Sequence, residues 1–140
     1  MSSPLAKFST SIDDLLAVYH QAVADFNSGR NKPSTDPGWV DLKKLLDAKV
    51  MVAGIDKPVA YKGKDAVINF LVAAGASFTN DTITQTLTFG NNLAALCGTA
   101  DWADSDQDND GQIIFNFEFV NRSITKSNWK ILRLSATNPT

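Results

Sequence analysis

Several residue types are scarce in this chain of 140 residues, and each scarcity excludes a class of protein. Cys97 is the only cysteine, so an internal disulfide framework is excluded and a reducing compartment is favoured. His20 is the only histidine, so a zinc centre built from histidine and cysteine ligands is excluded as well. Lysine and arginine total 13 against 15 aspartates and glutamates, so the basic surplus of nucleic-acid-binding domains is absent.

Long apolar runs are also missing. No stretch is long enough for a membrane-spanning helix, and the first residues lack the apolar core of a secretory signal. We therefore expect a cytoplasmic protein that binds neither membranes nor nucleic acids, and no motif indicates a cofactor. The composition, 44% hydrophobic and 20% charged, and the length suit one globular domain over residues 1–140. Residues 1–10 are expected to be a flexible N-terminus.

Residues 113–120 form the most informative stretch, because apolar side chains recur there with the period of a β-strand. Phe115, Phe117 and Phe119 share one face with Ile113. Three phenylalanines will not face water, so another layer must cover them. Helices with apolar stripes occur earlier in the chain and can supply that layer.

The pattern predicts three helices, with two short strands before the third, followed by four longer strands. Helices are predicted over residues 12–28, 39–46 and 64–74. Strands are predicted over residues 50–53, 59–61, 81–89, 93–102, 113–120 and 128–136. This order is typical of an α+β domain, here with three helices packed on a strongly curved antiparallel sheet. The curvature leaves a cone-shaped space between the helices and the sheet.

Three local segments carry a resemblance to a known family. They are residues 26–29 (Phe-Asn-Ser-Gly), 62–67 (Lys-Gly-Lys-Asp-Ala-Val) and 128–134 (Asn-Trp-Lys-Ile-Leu-Arg-Leu). In their order and spacing they resemble the nuclear transport factor 2-like superfamily, which includes ketosteroid isomerase and small SnoaL-like polyketide cyclases. The resemblance implies a ligand pocket between the helices and the concave sheet face. It also implies a homodimer formed through the outer sheet face.

The catalytic residues that this resemblance implies are not matched. Ketosteroid isomerase uses an aspartate base, and a tyrosine with a protonated carboxylic acid as its oxyanion hole. Those positions fall at Ala53 or Gly54, at Ala22 and at Phe115. None of these side chains can take up or donate a proton, so that mechanism is not expected here. Asp56 lies close enough in sequence to replace the base, and Tyr19 lies one turn before the tyrosine position.

The predicted pocket has six candidate ligand-binding residues. Gln85 is the one polar side chain on its predicted strand face, where an amide would orient a ligand; the alternative is a strand-edge residue that reaches solvent. Tyr19 either points its hydroxyl into the pocket or packs in the core with one hydrogen bond. The full set is Tyr19, Gln85, Trp102, Phe115, Phe117 and Leu132.

Three residues are candidate catalytic groups. His20 has a pKa suited to a general base, but it lies beside the apolar stripe of the first helix, which favours a surface position. Asp101 would serve as an acid only if burial raised its pKa. Asp56 is the third candidate, as the substitute base described above.

An acidic loop precedes the phenylalanine-rich strand. Asp106, Asp108, Asp110 and Gly111 match the start of an EF-hand calcium loop, but Phe117 occupies the position that requires glutamate. The flanking segments are strands rather than helices, so an EF-hand is excluded. The loop is interpreted either as a solvated turn or as a minor cation site formed by the three aspartates.

The other face of the phenylalanine-rich strand predicts a dimer surface. An outer face rich in isoleucine, valine and tryptophan is too apolar for open water and marks an interface. Glu118 and Arg133 are expected to pair across strands on this face. The predicted surface comprises Ile114, Glu118, Val120, Trp129, Ile131 and Arg133.

Two functional hypotheses remain. The first is a small-molecule-binding protein, either a plain binder or an isomerase, cyclase or dehydratase acting on a hydrophobic ligand. The second is a non-catalytic homodimeric association domain whose cavity is filled by its own side chains. A deep pocket with two or more polar groups favours the first, and a pocket closed by aromatic side chains favours the second.

Overall fold

The computed structural model describes residues 12–53, 60–90, 92–104 and 111–137. These residues form three helices, which we label α1 to α3, and six strands, β1 to β6. The helices are α1 (Ile12–Ser28), α2 (Pro37–Lys44) and α3 (Lys64–Ala74). The strands are β1 (Leu46–Ala53), β2 (Ala60–Lys62), β3 (Ser77–Phe89), β4 (Leu93–Ala103), β5 (Gly111–Asn121) and β6 (Trp129–Thr137). The predicted α+β class is confirmed, and the predicted elements occur in the predicted order.

The strands form one curled sheet in the order β2-β1-β6-β5-β4-β3. Neighbouring strands are antiparallel except β1 and β6, which are parallel. The prediction of a purely antiparallel sheet is wrong at this one pairing. A parallel pair requires a long crossover, and here the rest of the chain between β1 and β6 supplies it. Among the described helices, none is long and apolar enough to cross a membrane.

Helix α1 packs one apolar stripe against the concave side of the sheet. Leu15, Tyr19, Ala22 and Phe26 are spaced by three or four residues, and all four are buried. The helix ends at Gly29, where a close contact requires glycine. A Cβ atom at this position would lie 2.7 Å from the indole of Trp39, which donates a hydrogen bond from Nε1 to the Gly29 carbonyl oxygen at 2.8 Å.

A β-bulge in β6 reverses the direction in which part of that strand faces. Glu118 pairs with Arg133, but its neighbour Phe119 pairs with Ile131, so Leu132 is an extra residue. Ile131 and Trp129 therefore face the core, where they are 1% and 3% exposed. The prediction that these two side chains lie on the outer face is wrong, because simple alternation cannot include an inserted residue.

A second bulge has the same effect in β3. Ile83 pairs with Gly98 and Gln85 pairs with Cys97, so Thr84 is the extra residue. Beyond the bulge Thr86 pairs with the fully buried Leu96 and thus faces inward. Gln85 faces outward and is exposed. Of the two alternatives that the sequence left open for Gln85, the structure has the one that reaches solvent at the strand edge rather than the one in the pocket.

Aromatic rings fill the core between α1 and the sheet. Phe115 is 1% exposed, and its ring centroid lies 5.8 Å from that of Tyr19 and 5.1 Å from that of Phe78. Phe117 packs edge-on against Phe115 at 5.4 Å. These distances are typical of favourable aromatic pairs. The phenylalanine-rich face of β5 is covered by a helix, as the sequence predicts.

Candidate functional site

A cavity lies between the three helices and the concave face of the sheet. Its volume is about 80 Å³. Every helix and five of the six described strands contribute to its wall. The lining residues are Ala22, Val23, Phe26, Leu42, Val52, Ala53, Phe70, Leu71, Phe78, Trp102, Ile113, Phe115, Phe117, Ile131, Leu134, Ser135 and Ala136.

The wall of this cavity is almost entirely apolar. Among the described lining residues, Ser135 is the only one with a hydroxyl, amide or charged side chain. It pairs with Asn116, in the same outward-facing row as Cys97 and Gln85, so its hydroxyl lies on the other face of the sheet. The indole N–H of Trp102 is already occupied, because it donates to Asp104 Oδ2 at 2.7 Å. Burying a charge costs free energy unless a partner compensates it, and the described wall offers no counter-charge. The cavity is therefore suited to an uncharged, apolar group.

The structure separates the six predicted ligand-binding residues into two groups. Trp102, Phe115 and Phe117 line the cavity. Tyr19, Gln85 and Leu132 do not. Gln85 faces outward and Leu132 is the bulged residue of β6, so both are displaced by the irregularities described above.

Tyr19 is held behind the cavity wall rather than in it. It is completely buried, and its hydroxyl donates a hydrogen bond to Asp81 Oδ2 at 2.6 Å. Burial, followed by the hydrogen bond and the negative charge of Asp81, raises the pKa of Tyr19 above its ordinary value. The tyrosine thus remains a protonated donor that ties α1 to β3. This is the core arrangement that the sequence left open as an alternative.

None of the described catalytic candidates lines the cavity. His20 is exposed, and its ring contacts the edge of Tyr19 at a centroid distance of 5.2 Å. Asp101 is also exposed and accepts a hydrogen bond from Asn80 Nδ2 at 2.8 Å. Asp56 lies outside the described residues, so its candidacy stays a prediction.

The acidic loop also lies outside the described part of the chain. This holds for Asp106, Asp108 and Asp110, so a cation site formed by them stays untested. In residues 12–53, 60–90, 92–104 and 111–137, no three histidine, cysteine, aspartate or glutamate side chains come together as metal ligands.

Two buried acids lie away from the cavity, and sequence reasoning did not single out either one. Asp47 accepts hydrogen bonds from Arg122 Nε at 2.7 Å and Nη2 at 3.0 Å, and this pairing lowers the pKa of Asp47. Asp25 accepts a hydrogen bond from Gln21, but its Oδ2 atom has no hydrogen-bond partner in the part of the chain that the structure describes. Burial raises the pKa of Asp25, and the charge of Asp41 adds to that rise.

Comparisons with known proteins give one consistent result for the fold. No family model and no curated protein matches the chain. An uncharacterised protein with a cystatin-like fold from Caulobacter vibrioides superposes with a TM-score of 0.72 at 13% identity, over 91% of this chain and 90% of that one. A candidate polyketide cyclase from Xanthomonas campestris gives 0.57 at 12% identity, over 90% of each chain. A candidate calcium/calmodulin dependent protein kinase II association domain from the same organism gives 0.62 at 11% identity, over 94% of this chain and 90% of that one.

The chain has the nuclear transport factor 2-like fold. This confirms the resemblance seen in the sequence at the level of the fold. Of the positions that the resemblance assigns to the isomerase's catalytic residues, Ala22, Ala53 and Phe115 line the cavity. Gly54, the alternative to Ala53, lies outside the described residues, and the assignment of these positions stays a prediction.

Several wall residues were not identified from the sequence. Phe26 and Phe70 lie on the predicted apolar stripes of their helices, so the stripes indicated them as core but not as cavity wall. Ala136 continues the row of Leu134 on the phenylalanine side of β6, so alternation could have indicated it, whereas Ser135 pairs with Asn116 in the outward-facing row.

Proposed function

We propose that this protein binds the apolar portion of a small, uncharged molecule in the cavity between the helices and the sheet. The observation that carries the proposal is the wall itself, a cavity of about 80 Å³ whose described inward-facing side chains are aliphatic or aromatic. Ligand sites are typically apolar with a few polar groups that fix orientation. Here the apolar wall supports recognition of shape and apolar surface more than of polar groups.

The volume limits the size of the ligand. An apolar cavity of about 150 Å³ takes up benzene, so the present cavity suits a short alkyl chain or part of a ring. Each buried methylene contributes about 0.8 kcal/mol. A longer ligand would leave its remaining atoms at the rim, where Ala53 is exposed.

An enzymatic role in this cavity has weaker support. One structural neighbour is a candidate polyketide cyclase, which supports an enzymatic role only through the shared fold. Cyclase, isomerase and dehydratase chemistry each require a positioned proton donor or acceptor. Among the described wall residues, no inward-facing side chain offers a hydroxyl, carboxylate or imidazole, so binding is the better-supported function.

Titration with a series of primary alcohols, followed by amide chemical shifts of the labelled protein, tests this proposal. The binding free energy should improve by about 0.8 kcal/mol per added methylene until the cavity is full, and then stay constant. Ala22→Leu extends a side chain into the cavity and should abolish binding. Ala73→Leu is the matched control, because Ala73 lies exposed on α3 and does not line the cavity.

Two results would overturn the proposal. One is the absence of saturable shifts at cavity residues for every alcohol in the series. The other is unchanged binding by the blocked variant. Ala136→Leu, on the opposite wall, serves as a second blocking variant if Ala22→Leu perturbs the packing of α1.

A second candidate function is association of two copies through the outer face of the sheet. Exposed apolar side chains favour it: Leu87 is 42%, Phe89 57%, Leu93 42% and Ile114 48% exposed. The predicted pair is present as well, with Arg133 Nη1 3.2 Å from Glu118 Oε2. The predicted surface is nevertheless smaller than expected. Trp129 and Ile131 face the core, and Val120 is buried as well.

One structural neighbour is a candidate calcium/calmodulin dependent protein kinase II association domain, and the shared fold supports this second candidate. Size-exclusion chromatography with light scattering tests it. A mass of 15.1 kDa at all concentrations would exclude homodimerisation.

A further inference from the structure

Strand β3 forms one edge of the sheet, and it is long. It spans Ser77–Phe89, whereas the opposite edge is the three-residue strand β2 (Ala60–Lys62). An edge strand exposes backbone N–H and C=O groups on one side, and these groups can pair with another strand. Proteins usually protect such edges with charges, proline, bulges or a covering element.

The first part of the β3 edge is covered by α1. The side chain of Asn27 donates to the Phe78 carbonyl oxygen at 2.8 Å and accepts from the Phe78 N–H at 2.9 Å. It thereby occupies both backbone groups as a neighbouring strand would. The hydrogen bond from Tyr19 to Asp81 connects an earlier turn of α1 to the same strand.

The second part of the edge is not covered by any of the described residues. The bulge lies at Thr84, and the five residues after it pair regularly with β4, from Gln85 with Cys97 to Phe89 with Leu93. Four of these five residues are exposed, and Thr86 is half-buried. No lysine and no proline occurs in this segment.

The surrounding hairpin is also free of charge. Residues 82–100 contain no aspartate, glutamate, lysine or arginine, in a chain that is 20% charged. A second copy would therefore meet no like charge along this hairpin. A charged partner, in contrast, would find no complementary side chain here. The neutrality of the segment favours pairing with itself over pairing with a charged peptide.

We propose that two copies of this chain pair antiparallel along residues 85–89 of β3, about a twofold axis at Leu87. Leu87 then lies opposite the same residue of the second copy, Thr86 opposite Thr88, and Gln85 opposite Phe89. The arrangement is self-complementary, as a twofold interface requires. It keeps inward-facing residues opposite inward-facing ones, because the bulge lies outside the paired segment.

This register also covers exposed apolar surface. Leu87 and Phe89 face outward on β3, next to Leu93 on β4, and they are the cluster of exposed apolar side chains nearest the free edge. Pairing brings the clusters of both copies together on one face of a continuous sheet. The inference rests on the second candidate function, because both require two copies of the chain to associate. Ligand binding in the cavity is independent of both.

Charge substitutions at the proposed axis provide the first test. Leu87→Lys places two lysines opposite each other and should weaken self-association at least tenfold, since juxtaposed like charges cost several kcal/mol. Leu87→Glu should do the same. An equimolar mixture of the two variants should recover a species of twice 15.1 kDa, because each lysine then faces a glutamate. Ile114→Lys is the matched control, with 48% exposure on the same outer face but two strands away from the edge.

Cross-linking provides a second test that does not depend on weakening the dimer. In a Cys97→Ser background, Leu87→Cys should form an intermolecular disulfide under mild oxidation. Directly opposed strand residues have Cα atoms about 4.5–5.5 Å apart, within the range of a disulfide. Gln85→Cys should not cross-link, because the two copies of residue 85 are separated by four residue steps along the paired strands.

The outcomes separate this inference from the functions above. Dimerisation that is lost in Ile114→Lys and retained in Leu87→Lys would overturn the edge pairing and leave association through the sheet face standing. A wild-type protein that stays at 15.1 kDa throughout would overturn both. Efficient cross-linking through residue 85 but not 87 would overturn the proposed register. Alcohol binding by Leu87→Lys, measured in parallel, reports on the cavity independently.

Discussion

Replacing Gly98 with alanine should destabilise the fold, because two neighbours already occupy the space of the added methyl group. Gly98 lies on β4 between Phe115 on β5 and Ile83 on β3. A Cβ atom there would lie 2.7 Å from Phe115 Cζ and 3.0 Å from Cε2, and it would also clash with the carbonyl oxygen of Thr82. Both contacts are closer than carbon side chains tolerate.

Neither neighbour can move freely. The ring of Phe115 is 1% exposed and is held by the rings of Tyr19 at 5.8 Å and Phe78 at 5.1 Å. The Thr82 carbonyl is backbone next to the β3 bulge, so its movement would disturb the pairing of β3 with β4. Overpacking of this kind costs about 1–3 kcal/mol. Because one of the clashes is with backbone, the cost should lie near the upper end of this range. The gain from a stiffer unfolded chain is about 0.4–1 kcal/mol, so the net loss should be about 2 kcal/mol.

Urea denaturation followed by circular dichroism measures this loss directly. In thermal denaturation, a loss of about 2 kcal/mol in the free energy of unfolding corresponds to a fall of about 7 °C in Tm for a chain of this length. Phe115→Leu is the matched background, because it removes the ring atoms that meet the new methyl group. Gly98→Ala should cost about 1 kcal/mol less in that background. A loss below about 0.5 kcal/mol in the wild-type background, or an equal loss in both backgrounds, would refute the steric reasoning.

Three further predictions concern buried polar groups. Because Arg122 holds the pKa of Asp47 below its ordinary value of 3.8, that pair stabilises the fold above this pH and loses its effect as the pH falls through the folded-state pKa. Arg122→Ala should therefore lower the urea midpoint at pH 7 but much less at pH 3, and equal losses at both values would contradict this. The pKa of Asp25 is raised by burial, so its ionisation destabilises the fold as the pH rises through that higher pKa. Asp25→Asn should increase the free energy of unfolding by about 1 kcal/mol at pH 7 and by less in acid. A lower urea midpoint at pH 7 would contradict the idea that the unpartnered Oδ2 atom destabilises the fold. Tyr19→Phe removes the 2.6 Å hydrogen bond to Asp81 while keeping the ring, and thermal denaturation should show a loss of about 1–2 kcal/mol, whereas an unchanged Tm would argue against that bond.

The helices and the order of the elements were predictable from the sequence because they depend on local periodicity. The stripe from Leu15 to Phe26 predicts a helix over residues 12–28, and α1 spans Ile12–Ser28. The alternation around Phe115 and Phe117 predicts a strand with a covered face, and the covering helix is present. In these segments each side chain's direction follows from its place in the sequence.

The candidate site was only partly predictable. Trp102, Phe115 and Phe117 follow from strand alternation and do line the cavity. The positions of Gln85 and Leu132 were missed because each lies at or beside an inserted residue. The apolar nature of the wall also depends on which residues of distant elements meet, and local patterns carry no such information.

By itself, the sequence determined the class of fold and the covered face of β5. The tertiary structure decided which way the residues after Thr84 in β3 and before Leu132 in β6 face, and therefore which side chains lie in the core and which remain at the free edge. The physical reason is that alternation has a period of two, so a single extra residue turns every later side chain to the other face of the sheet. Whether a strand takes up such a residue depends on its pairing with neighbouring strands.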